Sequence, residues 1–260
     1  MTGTKNILVE FRKSKGWSQQ FLALEADVST RHISFIETGR STPSRELLLK
    51  LAYTLELCHR NTNALLNAYG YAAQYTSMAL TDTNLTPVRD ALKLMLDNHA
   101  PFPAAVLDGQ WNLAMANAPL QCMLETLLRE QPTGEFNMLE ATFDPNSLKP
   151  AIENWAEVAS VLLRRLHLQV HSQPSPALQE LYQKVLNMNP PENWRDTPAG
   201  FSEGPMLTAK IKAQGESLEL FSTLSTFGTA QDVNLQELVI ETYFPVNQKT
   251  TNFFYELAKR

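Results

Sequence analysis

The chain has 260 residues, 43% of them apolar, which is enough for a second core beside a small first one. Its net charge of −5 is unevenly spread: residues 1–60 carry nine Lys/Arg against six Asp/Glu, the rest thirteen against twenty-one. A locally positive first region suits phosphate contact, while two lone cysteines, Cys58 and Cys122, exclude a disulfide framework and a cysteine zinc site.

In chain order, Met1–Asn6 precedes a helix rather than an apolar signal core, and no run of about 18 apolar residues follows. A cytoplasmic protein is the expectation. Ser18 is placed to cap a short helix that has Gln19 in its first turn, where an amide and free backbone N–H groups can face a phosphate. Ala23 is small where a second helix must come close, and Val28 plugs the turn. Ser29 caps that second helix, whose inward positions are Ile33 and Ile36. Thr30, Arg31, Ser34, Phe35 and Thr38 then fall on the opposite face, the one that would enter a major groove. Arg31 is the candidate for reading guanine. Arg40, past the Gly39 stop, suits a phosphate, and Phe35 could touch a thymine methyl or fill a gap. The candidate DNA-binding set is Gln19, Ser29, Thr30, Arg31, Ser34, Phe35, Thr38 and Arg40.

On these residues, with Arg12, Gly16, Glu37 and Pro43, the stretch from Ile7 to Leu57 resembles the phage-repressor-like (Xre, or Cro/C1) helix-turn-helix family. The family's turn glycine is Asp27 here, a residue that tolerates a left-handed backbone. The resemblance implies an internal ion pair between Arg12 and Glu37. Ser44 starts a fourth helix with Leu47, Leu48, Leu51 and Leu55 on one side, and Asn61–Ala68 forms a fifth, ending at Gly70. A five-helix all-α domain over residues 1–71 and a polar linker over 72–86 are expected.

Residues 87–260 form the expected second domain. Val88, Ala91, Leu92, Met95 and Leu96 make an amphipathic helix. Ala104–Leu107, Asp108-Gly109 and Trp111–Met115 then read as a hairpin, with Asp-Gly supplying the turn's positive backbone angles. Asn117 caps a helix to Leu128, and helices follow near Met138–Phe143, from Ala151 to about Val170, and from Ala177 to Leu186. Pro190–Ser202 reads as a loop carrying Trp194. Three strands close the pattern: Met206–Ile211, Leu218–Phe227 and Leu235–Phe244, the Gly228–Asn234 segment being a plain connection in which Asp232 bonds local backbone. Two strands, helices, then three strands is the order of a PAS-like domain, so the whole chain is α+β, with an antiparallel sheet and flanking helices after the all-α domain.

The stretches Val106-Leu107-Asp108, Trp111-Asn112, Asn117, Phe143-Asp144-Pro145, Trp155–Ala159 and Glu241–Pro245 resemble the ligand-binding domain of MmyB-like transcription regulators over about residues 87–246. The resemblance implies a PAS-like sensor with a fatty-acid-type ligand. Trp111, Met115, Leu124, Leu162 and Phe221 are candidate lining residues, although each could serve plain core packing. Met115 is grouped with Trp111 by its even spacing. Arg164, in the Arg164-Arg165 pair, is the candidate for a carboxylate or phosphate headgroup, or else a surface arginine.

His167 and His171 lie four apart on one helix but lack a third ligand, so no metal site and no cofactor is expected. Without a phosphate loop, a Gly-Xaa-Ser-Xaa-Gly elbow or a Cys/His pair, the chain does not read as an enzyme. The expectation is a transcription regulator that binds operator DNA as a homodimer and senses a small apolar ligand. The alternative is a helix-turn-helix protein whose second domain is a protein-interaction or dimerisation module.

Overall fold

The computed structural model describes residues 7–128, 134–196 and 206–259. Residues 197–202 of the expected Trp194 loop therefore lie outside the described residues. The chain forms two compact units. The first joins Met1–Met78 to two later pieces, Gln169–Pro174 and Thr229–Gln236; the second takes Ala79–Leu168, Ser175–Gly228 and Glu237–Arg260.

The first unit is built on five helices: α1 (Ile7–Ser14), α2 (Gln19–Glu25), α3 (Thr30–Glu37), α4 (Arg45–Thr54) and α5 (His59–Ala68). Three of them start on serine caps. The Ser18, Ser29 and Ser44 hydroxyls accept from the N–H groups of Phe21, His32 and Leu47, each satisfying one orphan donor of a first turn. Asp27 takes φ 49° in the turn between α2 and α3, the left-handed geometry expected of it. Leu8, Leu22, Ile33, Ile36, Leu51 and Leu65 are completely buried and, with Ala23 at the α2–α3 approach, make one core.

Helix α5 lacks such a cap, because Cys58 offers no side-chain hydrogen bond there. Its first N–H, that of His59, instead donates to Gln236 Oε1 at 2.7 Å, and His59 Nε2 lies 2.8 Å from the Ala230 carbonyl. Both partners belong to the strap Thr229–Gln236, which the second half of the chain contributes to this unit. Asp232 is the strap's anchor and is 3% exposed. Its Oδ2 accepts from Thr76 Oγ1 (2.7 Å) and Met78 N (2.9 Å), its Oδ1 from Asn234 N (2.9 Å) and Leu235 N (3.2 Å). The strap thus does more than connect two strands, although its local bonds from Asp232 are those expected.

The second unit begins with α6 (Thr86–Asn98), β1 (Ala104–Leu107) and β2 (Leu113–Ala116), followed by α7 (Ala118–Leu127), capped by Asn117, and α8 (Met138–Phe143). Next come α9 (Trp155–Ser172), whose last turn clusters with the first unit, α10 (Pro176–Leu186), β3 (Ala209–Ala213) and β4 (Glu216–Thr226). The strap carries the short α11 (Val233–Glu237) and leads into β5 (Val239–Pro245), so the strand expected from Leu235 starts later. The five strands form one antiparallel sheet in the order β2-β1-β5-β4-β3, the arrangement of a PAS-like domain.

Two local readings need correction. Gly109 does not supply the positive angle in the β1–β2 connection; Trp111 does, at φ 70°. Asp108 organises the turn by accepting from Gln110 N (2.8 Å) and Asn112 N (2.9 Å). Glycine is required at 109 for another reason, since a Cβ there would lie 2.7 Å from Glu237 Oε2 and 2.9 Å from Glu237 Cβ. The second correction is an added element, α12 (Gln248–Leu257). Asn247 caps it, and Thr250 and Phe254, four residues apart, are completely buried beneath it, Thr250 Oγ1 accepting from Glu219 N at 3.0 Å.

A DNA-reading face and a ligand cavity

In the first unit, α3 buries Ile33 and Ile36 and turns Thr30, Arg31 and Thr38 outward. Ser34 and Phe35 are half-buried beside them, and Arg40 is exposed past the helix end. The Phe35 ring, unusual on such a face, is a shelf for cations: the Arg31 guanidinium carbon lies 5.1 Å and that of Arg40 5.9 Å from its centroid. Stacking restricts the long Arg31 side chain, so less rotamer entropy is left to lose when it is fixed against any partner.

Two candidates also make local hydrogen bonds on the recognition helix. The Ser29 hydroxyl oxygen accepts from His32 N in the α3 cap, and Thr38 donates to the Ser34 carbonyl at 2.7 Å. Gln19 is engaged as well: its Nε2 donates to Glu37 Oε2 at 2.7 Å, so one amide hydrogen ties the α2 start to the end of α3. The same carboxylate receives Arg12 through Nε (2.6 Å) and Nη2 (2.8 Å), while Arg12 Nη1 donates to the Trp17 carbonyl (2.7 Å). Hydrogen bonding to Glu37 raises the Arg12 pKa first of all, against the lowering effect of burial. This is the ion pair that the helix-turn-helix resemblance implies.

In the second unit a cavity of about 130 Å³, partly open to solvent, lies between the sheet and α7, α8 and α9. Trp111, Leu124 and Leu162 of the candidate lining set are on its wall, with Leu107, Leu139 and Ile211 among their neighbours. Apolar cavities near this size, about 150 Å³, stay dry and take up benzene-sized molecules. Trp111 reaches the wall from a left-handed backbone, a strained position of the kind that gathers at ligand sites.

Met115, Phe221 and Arg164 are not on the wall, for geometric reasons. Trp111 lies before β2 begins, so even spacing does not carry its face to Met115, which pairs with Val106 and shares that residue's side of the sheet. Phe221 sits between Leu220 and Ser222, both of which line the cavity; strand alternation points it to the other face, where it stacks on Phe244 at 5.3 Å. Arg164 Nη1 donates to the carbonyls of Trp194 (3.0 Å) and Asp196 (3.3 Å).

Arg165 is the arginine near the cavity, its guanidinium 4.5 Å from the Trp111 ring centroid. Burial lowers its pKa, and the charges of Glu241 and Tyr243 partly restore it. The signal was present in the sequence: Arg165 follows Leu162 by three residues and shares its helix face, whereas Arg164 does not. The polar end of the cavity was not foreseen at all. Ser222, Glu241 and Tyr243 form it, Ser222 Oγ donating to Glu241 Oε1 at 2.7 Å. The Tyr243 pKa is raised well above the usual phenol value, by burial first and then by the charge and hydrogen bond of Glu241.

Among the described residues no group of His, Cys, Asp and Glu could hold a metal ion, and His167 is engaged with the Tyr182 hydroxyl at 3.0 Å. No described helix is long and apolar enough to cross a membrane.

The helix-turn-helix family model matches residues 8–57. No curated protein matches the chain. Among solved structures, an RNA-binding light-oxygen-voltage receptor aligns at 12% identity over 98% of this chain and 63% of its own, with a TM-score of 0.24 that supports no inference. The MmyB-like transcription regulator ligand-binding domain matches residues 88–257. The chain belongs to the MmyB-like transcription regulators, joining a DNA-binding helix-turn-helix to a ligand-binding domain.

Proposed function

We propose that this regulator reads operator DNA as a homodimer through the outer face of α3, and that an apolar ligand, of the class to which fatty acids belong, occupies the cavity of the second unit and changes operator affinity. The observation that carries the reading is the cavity itself, walled by leucines, methionines and Trp111 and bordered on one side by three polar side chains. A closely packed dimerisation module has no use for such a void, whose unfilled wall forfeits contacts. Dimerisation follows from reach, because one recognition helix reads a few base pairs and two-fold pairing sets a second helix about 34–36 Å along the same DNA face. In this reading Arg31 contacts a base and Arg40 a phosphate.

Extraction of purified protein followed by mass spectrometry is the direct test; protein that yields no small molecule, and whose stripped form shows no thermal shift with fatty acids or alcohols, is an interaction module instead. Leu162→Trp is expected to fill the cavity and abolish the ligand-induced shift while leaving the stripped protein's melting temperature nearly unchanged. Overpacking of a ligand-free core would instead cost about 1–3 kcal/mol. On the DNA side, Arg31→Ala is expected to cost about 1–3 kcal/mol and relax preference at one base position, with Arg40→Ala weakening all sequences evenly. An unchanged ranking of operator variants for Arg31→Ala would remove the groove assignment.

A further inference from the structure

We propose that Trp111, Gly109, Glu237 and Gln236 form a relay that carries ligand occupancy from the cavity to the DNA-binding unit. The inference rests on the sensor reading above and names its route of regulation.

The relay begins on the cavity wall. Trp111 lines the cavity and takes φ 70°, a backbone that a bulky residue keeps only when the turn around it holds it there, so a ligand packed on its ring acts on the turn itself. The Asp108 carboxylate ties that turn into one block. Its Oδ1 accepts from Gln110 N (2.8 Å) and Asn112 N (2.9 Å), its Oδ2 from Asn112 Nδ2 (3.0 Å). Gly109 lies inside the block and, lacking a Cβ, lets Glu237 pack directly on it: a Cβ there would stand 2.7 Å from Glu237 Oε2 and 2.9 Å from Glu237 Cβ. Groups in such close contact pass a displacement on instead of absorbing it.

Glu237 ends the short α11 and directly follows Gln236. Consecutive helical residues point in different directions. Glu237 meets the β1–β2 turn, while Gln236 Oε1 accepts the first N–H of α5, that of His59, at 2.7 Å. The boundary between the two units falls on the peptide bond joining these residues, so the relay crosses it through covalent structure alone. Asp232, held by Thr76 and Met78, fixes the start of α11, and a shift at Glu237 is therefore felt at Gln236. Beyond His59, α5 sets Leu65 and Leu66 into the core that also holds Ile33 and Ile36 of α3.

The test uses the full chain stripped of bound molecules, decanoate and 1-decanol as probes, and an operator duplex selected from random sequence by the protein itself. Calorimetry identifies a probe that binds, and exchange of the His59 N–H is followed by nuclear magnetic resonance with and without it. A probe that fixes Trp111 should slow this exchange at least about fivefold, the lower end of couplings between sites. Gln236→Ala should keep probe binding, while the ratio of operator affinities with and without probe falls towards one. Gly109→Ala, which pushes Glu237 away, should speed His59 exchange in the stripped protein. The wild-type exchange is decisive even where a variant is unstable. His59 exchange indifferent to a bound probe or to Gly109→Ala, or an operator ratio that survives Gln236→Ala, overturns the relay and leaves the sensor standing. If neither probe binds, or a bound probe leaves operator affinity unchanged, the sensor reading falls and takes the relay with it.

Discussion

Glu37→Ala is expected to lower the stability of the DNA-binding unit by about 3–5 kcal/mol, the usual cost of leaving one member of a buried ion pair behind. Arg12 and Glu37 are each only 7% exposed, so the guanidinium left in the variant keeps no acceptor but the Trp17 carbonyl. Gln19 loses its acceptor in the same change. The measurement is urea unfolding followed at the Trp17 indole, since Trp111, Trp155 and Trp194 all belong to the other unit. Replacing both charges, as Arg12→Met with Glu37→Met, should recover much of the loss, because the cost lies in the orphaned charge more than in the missing attraction. A single-variant loss under about 1 kcal/mol would place the pair among ordinary surface bridges.

Asp232→Ala is expected to cost the same unit about 2–4 kcal/mol, although residue 232 lies far along the chain from its helices. Four donors lose their acceptor at once, and each buried donor left unsatisfied costs about 1–3 kcal/mol before water or relaxation reaches it. Thr76→Val removes one of these bonds together with its donor and should cost about 1 kcal/mol. Amide hydrogen exchange supplies a second readout, as the His59 N–H, which bonds Gln236 in the strap, should lose protection in Asp232→Ala. If the two variants are equally mild, the strap is not anchored through Asp232.

The parts of this molecule legible in its sequence are those whose causes are local. Serine and asparagine caps, the Asp27 turn and the inward Ile33 and Ile36 each depend on neighbours within four residues, and each is where the sequence puts it. The antiparallel sheet and its order follow from the succession of elements. What could not be read locally was set by long-range partners. Gln19 looks free in sequence and is held by a carboxylate eighteen residues on. Phe35 looks out of place until two arginines are found on its ring. Glu241 and Ser222 sit on adjacent strands nineteen residues apart, with a loop and the strap between them. Met115 and Arg164 differ from these: β2 begins only after Trp111, and Arg164 lies one position off the helix face of Leu162 and Arg165, both facts carried by strand parity and helix phase.

The strap also bears on the order in which the protein is made. Helices α1 to α5 leave the ribosome first and carry Arg31 with them, but the carbonyl that closes α5 arrives on Gln236, 177 residues after His59. Synthesis must therefore run through β4 before the DNA-reading unit has all its hydrogen bonds. A nascent or prematurely ended chain therefore carries α5 with its first N–H still open to water.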